Sequence, residues 1–253
     1  NPTHIAVLFD TPAATFRNEI SPDYKAHRTP PPNELNQQRP FVDRAIEAFG
    51  IKHLRLDGFE ADDLIASYAR AADDTGAQVQ IVANDKDLMC LVNENVVMRH
   101  YDEIIDAEAV EAKFGVPPWR IPDLLALTGD VADGIAGVPG IGPKAAAALL
   151  NERQTLEAVL TNPPVLPGIG PKKLRSLVTH ANQARTARRL VQLDEEVPLP
   201  LPIEDLAFEG VDFGQLYDFC VEMEFPSFIK RIEERVDEGQ APQHSENSAN
   251  PFE

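Results

Sequence analysis

Two groups of acidic residues bracket one helix pattern and one strand pattern between residues 58 and 92. The acids are Glu60, Asp62, Asp63, Asp85 and Asp87. The first three precede apolar residues at helical spacing, and the last two follow the apolar run 79–83. In an open α/β sheet, these helix starts and strand ends lie on one carboxyl edge, where ligands bind. Because five carboxylates crowded on one edge repel one another, we expect divalent metal ions among them.

The apolar run 4–10 is a second strand that ends in an acid. It predicts a buried parallel strand that stops at Asp10. An isolated aspartate at such a place is commonly a turn or cap residue. This strand, however, ends as the strand before Asp85 does. The parallel favours a place for Asp10 in the same acidic cluster.

Composition limits the classes of protein to which the chain can belong. It has 253 residues, of which 43% are hydrophobic, enough for one large domain or two small ones. No apolar run is long enough to span a membrane, and no signal peptide opens the chain. Two cysteines, Cys90 and Cys220, fit a reducing cytoplasm better than a disulfide framework. We expect a cytoplasmic monomer that has no contact with a membrane.

The formal net charge of −18 argues by itself against a partner made of nucleic acid. Two observations weaken that argument. A metal-binding acidic cluster neutralises several carboxylates internally, and the acid-rich stretch 195–253 need not touch a substrate. The distribution of the positive charges therefore decides the question.

A polar, basic segment follows Asp10. It carries Lys25 and Arg28 beside Tyr24, and the prolines at 30–32 stop any helix there. An amphipathic helix is predicted after it, over residues 41–49. The basic segment is either a solvated loop or an arm that meets phosphates near the acidic cluster.

The stretch 129–150 carries the most specific motif. Asp130 and Asp133 lie three residues apart, so that both can face one way on a turn. The motif GVPGIGPK at 137–144 then precedes an alanine-rich helix. Its glycines let the backbone approach a partner closely, and the free N–H groups at the helix start favour an anion. With Lys144 this predicts a clamp for DNA phosphates that ignores base sequence, the alternative being an ordinary glycine-rich turn.

The motif recurs at 167–173 as PGIGPKK, followed by a basic stretch that favours nucleic acid. It is either a second hairpin or a helix-start turn that only looks alike. Two prolines in the preceding TNPPV argue against a second hairpin. The predicted DNA contacts are Tyr24, Gly137, Val138, Gly140, Ile141, Gly142, Lys144, Lys172 and Lys173.

Five motifs occur together in a fixed order. They are VLFD at 7–10, YKAHR at 24–28, EADD at 60–63, NDKD at 84–87 and GDVADGIAGVPGIGPK at 129–144. Through them the chain resembles the bacterial 5′-nuclease family, which comprises the 5′→3′ exonuclease domain of DNA polymerase I and its stand-alone relatives, kin to the flap endonucleases.

The resemblance implies an α/β fold with a parallel-sheet body of the PIN/5′-nuclease type and a helical arch, followed by an all-α helix-hairpin-helix subdomain. The implied boundaries are 1–115 for the body, 116–236 for the helical subdomain and 237–253 for a disordered tail or linker. Lys25 and Arg28 match the arch residues that engage the scissile phosphate. Gly137–Gly142 matches the DNA clamp, where backbone carbonyls commonly hold K⁺.

The same resemblance implies a metal site for two Mg²⁺ ions, which Mn²⁺ can replace. The matching carboxylates are Asp10, Glu60, Asp62, Asp63, Asp85, Asp87, Asp130 and Asp133. All but Asp63 and Asp130 are expected to lie closest to the metals. One ion would activate a water molecule and the other would stabilise the leaving oxygen.

The chain departs from the family pattern in two places. The family begins with a strand and a metal-ligating aspartate before any equivalent of His4, whereas this chain begins at Asn1. We therefore expect an N-terminally truncated chain, with an unpaired apolar sheet edge and one carboxylate fewer. In addition, Gly134 stands where the polymerase-type motif more often has asparagine.

The implied function is that of a structure-specific 5′-3′ exonuclease and 5′-flap endonuclease in DNA replication and repair. Its expected partner is duplex DNA with a 5′ end or 5′ flap, together with a covalently following polymerase domain in the full-length protein. Two alternatives stay open. One is a non-catalytic DNA-binding fragment of such a nuclease, and the other is an RNA-directed nuclease of the same fold.

Overall fold

The computed structural model describes residues 2–237. Asn1 and the predicted tail beyond Asp237 lie outside the described residues. The strands are β1 (Ala6–Leu8), β2 (Lys52–Leu54), β3 (Val79–Val82), β4 (Val96–His100), β5 (Glu103–Ile105), β6 (Gly129–Asp130) and β7 (Ile135–Ala136). The helices are α1 (Phe16–Ile20), α2 (Asn33–Ala48), α3 (Ala61–Asp73), α4 (Ala107–Phe114), α5 (Ile121–Thr128), α6 (Pro143–Arg153), α7 (Leu156–Thr161), α8 (Pro171–Thr179), α9 (Ala181–Val191), α10 (Phe213–Glu222) and α11 (Pro226–Asp237).

The chain divides into two compact units built from non-contiguous segments. The described part of the first unit consists of residues 2–9, 29–55 and 200–237. The second unit consists of residues 10–28 and 56–199. The sequential division at residue 115 stays a prediction.

In the first unit, β1 and β2 form a parallel pair in which Val7 lies opposite His53. Helix α2 packs with α10 and α11 around a small core that includes Ala48, Phe219 and Ile232. Helix α2 begins at Asn33, eight residues before the predicted start, directly after the proline run and with Pro40 inside it.

In the second unit, β3 and β4 are parallel and β5 adds an antiparallel strand. Ile81 lies opposite Met98, and both side chains are buried in the main core. Among the described residues β3 pairs only with β4, so its other edge is open, and Val82 is 74% exposed there.

The helices of the second unit surround α5, whose side chains are nearly all buried. Helix α5 packs mainly against α9 and α6. Leu127, Leu149 and Leu177 contribute fully buried side chains from α5, α6 and α8 to the same core as the β3–β5 sheet. The core thus fixes the helices that carry both glycine motifs relative to the sheet that carries the acids.

Candidate active site

The start of α3 gathers the first group of acids. Its first backbone N–H groups have no partner within the helix, and such groups attract carboxylates. Asp10 Oδ1 accepts the N–H of Ala61 at 2.8 Å. Asp10 therefore lies beside Glu60 and Asp62, as the matching strand ends predicted.

Asp62 is the residue at which these acids repel one another. The pKa of its carboxyl is raised to about 7, first by burial and then by the charges of Asp85 and Asp10, with a smaller contribution from Glu60. Lys25 acts in the opposite direction. Burial and three neighbouring carboxylates thus disfavour the ionised form of Asp62, and a bound divalent cation would favour it.

The second group consists of Asp87, Asp130 and Asp133. One carboxylate oxygen from each lies within 4.8 Å of those of the other two. Burial raises the pKa of Asp87 to about 6, and Asp85, Asp130 and Asp133 contribute to the rise against the effect of Lys86. Asp87 Oδ1 is buried and accepts no hydrogen bond from the described residues, although Lys86 Nζ lies 3.5 Å from it. This all-oxygen donor set suits a hard cation such as Mg²⁺.

A short hairpin that the sequence did not reveal holds Asp130 and Asp133 together. Strands β6 and β7 pair antiparallel. Asp130 is the last residue of β6, and Asp133 lies in the turn that follows it. Gly134 in this turn has φ = +72°, a conformation that glycine and asparagine adopt most readily. The backbone angle therefore accounts for glycine at a position where the related motif has asparagine.

Gly137 fixes the distance between this hairpin and the glycine motif that follows. A Cβ atom on Gly137 would stand 2.2 Å from the carbonyl carbon of Thr128 and 2.3 Å from the nitrogen of Gly129. Only glycine lets β7 pass so closely over the end of α5. The N–H of Val138 then donates to Leu127 O at 2.8 Å.

Three cations balance the acids. Lys25 Nζ lies 2.7 Å from Glu60 Oε1 and 3.8 Å from Asp133 Oδ2. Arg28 donates to Asp133, and Lys86 Nζ lies 2.5 Å from Asp130 Oδ2. The motif resemblance assigned roles to Lys25 and Arg28, whereas Lys86 was missed although it stands inside the NDKD motif.

Lys25 is held in an unusual backbone conformation. Its φ of +54° lies in the left-handed region, where non-glycine residues are uncommon and are often found at functional sites. The N–H of Lys25 donates to Asp133 O at 3.0 Å, which ties this conformation to the β6–β7 turn. The backbone itself therefore positions the ammonium group over the acids.

Tyr24 lies inside the acidic site. Its ring is buried, and its hydroxyl is 3.0 Å from Glu60 Oε2 and 3.2 Å from Asp133 Oδ2. Burial, followed by the charges of Glu60 and Asp133, raises its pKa far above the ordinary value, so the hydroxyl stays a donor. The DNA contact that the sequence predicted for Tyr24 stays a prediction, and within the chain its hydroxyl contacts two carboxylates.

Asp63 is separated from the other acids. Its carboxylate is fully buried and forms two hydrogen bonds with the Arg17 guanidinium, at 2.6 and 2.7 Å. The backbone N–H groups of Glu60 and Asp194 also donate to it. The expectation that Asp63 faces a metal therefore does not match its surroundings. The other seven predicted acids, which we call the acidic centre, are Asp10, Glu60, Asp62, Asp85, Asp87, Asp130 and Asp133.

The glycine motif at 138–142, here called the first turn, exposes backbone and hides side chains. Val138 and Ile141 are buried, and the N–H of Ile141 donates to Val138 O at 3.0 Å. Gly140, Gly142 and the first residues of α6, Lys144 among them, are exposed. The predicted contacts at Val138 and Ile141 are therefore available through the backbone alone.

The second motif, at 166–170, has the same local structure and is here called the second turn. Ile169 is buried, and its N–H donates to Leu166 O at 2.9 Å. Helix α7 ends at Thr161, before both prolines of the connection, and α8 begins at Pro171. The motif is thus a helix–turn–helix unit, the alternative that the prolines had argued against.

The basic residues after the second turn divide into two sets. Lys172 and Arg175 are exposed on α8, and Lys173 Nζ donates to Gly168 O at 2.9 Å. In contrast, Arg185 pairs with Glu157 and Arg188 with Asp123. Only part of the basic stretch is therefore free to meet a partner.

Comparison with known proteins places this geometry in a family. Residues 1–115 match the family described as 5′-3′ exonuclease, N-terminal resolvase-like domain, and residues 116–213 match 5′-3′ exonuclease, C-terminal SAM fold. The 5′-3′ exonuclease of Aquifex aeolicus is 36% identical over 234 residues, which cover 92% of this chain and 79% of the relative. The chain belongs to the 5′-3′ exonuclease family.

The other members include polymerases. DNA polymerase I of Rhizobium leguminosarum is 42% identical over 240 residues, which cover 93% of this chain and 23% of the relative. The chain thus spans about a quarter of the length of the polymerases that it matches. The predicted resemblance to the 5′-nuclease family is confirmed.

A solved structure confirms the fold. The flap endonuclease of bacteriophage T5, in a complex with DNA and metal ions, is 21% identical and superimposes with a TM-score of 0.63 over 92% of this chain and 84% of its own. The predicted combination of an α/β body with a C-terminal helical part is therefore correct. Among the described residues, no helix has the length and apolar character required to cross a membrane.

Proposed function

We propose that this chain hydrolyses DNA phosphodiester bonds at 5′ ends and 5′ flaps in a metal-dependent reaction. One observation carries the proposal. The acidic centre brings two groups of carboxylates together, and the pKa values of two members, Asp62 and Asp87, are raised by burial and then by neighbouring carboxylates. Lys25 and Arg28 each form an ion pair with a carboxylate of this centre. Membership of the 5′-3′ exonuclease family supports the same reaction.

The seven carboxylates of the acidic centre would hold divalent ions. These ions would be Mg²⁺, which Mn²⁺ could replace. Such ions supply an activated water molecule and a counter-charge for the leaving oxygen. The T5 structure with DNA and metal ions supports this choice by its fold. Asp63 is left out because Arg17 and two backbone N–H groups occupy its oxygens.

Other residues of the chain would position the phosphate and the carboxylates that bind the metal ions. Lys25 and Arg28 would stabilise the negative charge that develops on the phosphate, because each already lies against a carboxylate of the site. Tyr24 would orient Glu60 and Asp133 by hydrogen bonding. The left-handed backbone at Lys25 reduces the freedom of its side chain to turn away.

The two turns would hold the duplex through its backbone. The exposed start of α6, with Lys144, offers N–H groups and a positive charge to a phosphate. Lys172 and Lys173 extend this surface to the second turn. Such contacts read the form of the nucleic acid and not its base sequence, which suits a substrate defined by an end or a flap.

The K⁺ ion implied by the family resemblance finds little support in this geometry. The carbonyls of Gly137, Val138 and Pro139 already accept hydrogen bonds from Gln183, Ile141 and Ser176. Measuring the affinity for DNA as a function of K⁺ concentration, at constant ionic strength, would test this site directly.

Several relatives that the chain resembles are DNA polymerases I, and we propose that a polymerase domain works with this chain in the full-length protein. We also expect the nuclease part to act as a monomer in the cytoplasm. Sequential segments 1–115 and 116–236 would then divide the work between bond cleavage and duplex binding.

Cleavage of a labelled 5′-flap DNA with Mg²⁺, and with a chelator as the blank, tests the proposal. We expect short products released from the 5′ side that vanish with the chelator. Binding of the flap without any cleavage would instead support a non-catalytic DNA-binding fragment. A matched RNA flap that is cut as fast as the DNA flap would support an RNA-directed nuclease.

A further inference from the structure

A buried ion pair lies directly behind the acidic centre. Arg17 is 1% exposed and Asp63 is not exposed at all. The guanidinium donates Nη1–H to Asp63 Oδ2 at 2.6 Å and Nη2–H to Asp63 Oδ1 at 2.7 Å. Two parallel hydrogen bonds of this kind fix the relative orientation of both groups.

The remaining donors of Arg17 reach the end of another helix. Its Nε–H donates to Leu190 O at 2.8 Å, and Nη2–H also donates to Gln192 O at 2.9 Å. Helix α9 ends at Val191, so these carbonyls lie at its C-terminus, where the helix leaves them without internal partners and favours a cation. Arg17 thereby joins α1 and α3 to the end of the basic helix α9.

Asp63 passes this constraint to the acidic centre. Its Oδ2 accepts the N–H of Glu60 at 3.1 Å. Arg17 Nη1 also lies 3.6 Å from Glu60 Oε2, the oxygen that contacts the Tyr24 hydroxyl. The ion pair therefore constrains both the backbone and the carboxylate of Glu60.

We propose that Arg17, acting through Asp63, is a positioning residue that holds the Glu60 carboxylate in its place in the acidic centre and ties that place to the end of α9. The proposal rests on the proposed function for its reaction. Desolvation offsets most of the attraction in a buried ion pair, so the attraction between the two charges contributes little net stability. An apolar pair cannot donate to Leu190 and Gln192 or accept from the N–H of Glu60, and those contacts supply the orientation.

Two variants of the full chain separate orientation from stability. Arg17→Met combined with Asp63→Leu removes both charges together, so that neither is left buried alone. Arg17→Lys keeps a charge but loses the double hydrogen bond and the contact from Nε. Arg70→Met is the matched control, because Arg70 pairs with Glu196 at the exposed far end of α3.

Four quantities are measured for each variant: the melting temperature, the affinity for flap DNA without divalent ions, Mn²⁺ binding by electron paramagnetic resonance, and the single-turnover cleavage rate at saturating DNA. We expect the double variant to stay folded and to bind DNA within about 2-fold of the parent. Its melting temperature should fall by a few degrees, because the carbonyls of Leu190 and Gln192 lose their donors. Mn²⁺ affinity and cleavage rate should each fall by about 10- to 100-fold, the usual cost of losing a group that orients a metal ligand. Arg70→Met should leave all four unchanged.

A folded double variant with parental Mn²⁺ affinity and cleavage rate would overturn the proposal. If the double variant does not fold, Arg17→Lys decides by the same two readouts. A parent chain that binds Mn²⁺ but cuts no flap contradicts the proposed function, while the Mn²⁺ comparison still decides the role of Arg17. A parent chain that binds no Mn²⁺ overturns both.

Discussion

The acidic centre and the two turns satisfy their polar groups in opposite ways. In the acidic centre, the charges are balanced internally by Lys25, Arg28 and Lys86. At the turns, buried isoleucines anchor the backbone while the helix starts and the lysines Lys144 and Lys172 stay exposed. In the proposed function, the first region would hold cations and the second would bind the phosphates of the duplex. Variants in the first should therefore change the rate of cleavage, and variants in the second should change binding.

The largest effect is expected from Asp85→Asn. This change removes one carboxylate charge from between Asp62 and Asp87, so cleavage with Mg²⁺ should fall to the limit of detection. Flap DNA binding in a gel-shift assay should stay close to that of the parent. Asp57→Asn is the control, because Asp57 is an exposed acid just before α3, and this variant should cut the flap DNA normally. Near-normal turnover in the Asp85 variant would show that the acidic centre is not the metal site.

Lys25→Ala should lower the single-turnover rate by about 100-fold, the cost of one group that stabilises charge in the transition state. The affinity for flap DNA should change much less, because Lys25 faces the acids and not the turns. Lys113→Ala, at an exposed lysine on α4, is the matched control. Loss of affinity equal to the loss of rate would place Lys25 with the binding surface.

Lys144→Ala and Lys172→Ala should weaken duplex binding by a few-fold, about 3 to 10, at moderate salt. Each lost phosphate contact should reduce the slope of log affinity against log salt by about 1. The rate at saturating DNA should stay parental in both. Lys230→Ala, at a lysine paired with Glu234 on α11, is the control. A salt slope unchanged by either lysine would remove that turn from the DNA surface.

The smallest effect concerns pH. The carboxyls of Asp62 and Asp87 have pKa values raised to about 7 and about 6. Between about pH 4 and pH 7, the folded chain therefore keeps protons on these carboxyls that the unfolded chain has already released. Their contribution to stability is complete below pH of about 4 and is lost as pH rises through about 7. In a chelator, the melting temperature should therefore fall by a few degrees, about 2 to 6, between about pH 5 and pH 8.

Mg²⁺ should reverse this fall and stabilise the chain more at the higher pH, because the ions bind the ionised carboxylates. Asp62→Asn should flatten the pH dependence measured in the chelator. The opposite sign, a melting temperature that rises through this window without metal, would show that repulsion in the acidic centre is weak.

The contrast between the two regions also explains what the sequence could predict. The turns depend on residues close together in the chain, and both motifs adopt the same hydrogen-bonded turn. The start of α4 is equally local, since Asp106 accepts the N–H of Ala109 at 2.9 Å. Local patterns of this kind carry their own geometry.

The acidic centre was predicted as a set, but its internal division was not. Asp62 and Asp63 are neighbours in an EADD motif, and one faces the other acids while the other is buried against Arg17. Arg17 is 46 residues from Asp63 in the chain, so no local pattern shows the pairing. The β6–β7 hairpin was missed because strands of two residues leave no periodicity.

The contact at Gly137 has a mechanical consequence. The backbone at Gly137 lies so close to the end of α5 that a Cβ atom there would overlap Thr128 and Gly129. This contact fixes the position of the segment between Asp133 and Val138. In the proposed function, this segment joins the acidic centre, where the phosphodiester bond would be cut, to the first turn, which would bind the duplex. Its length would then set the distance between the bound duplex and the cleavage position. Inserting one residue there, with every charge left intact, should therefore shift the cleavage position along the strand, as read from the lengths of the products.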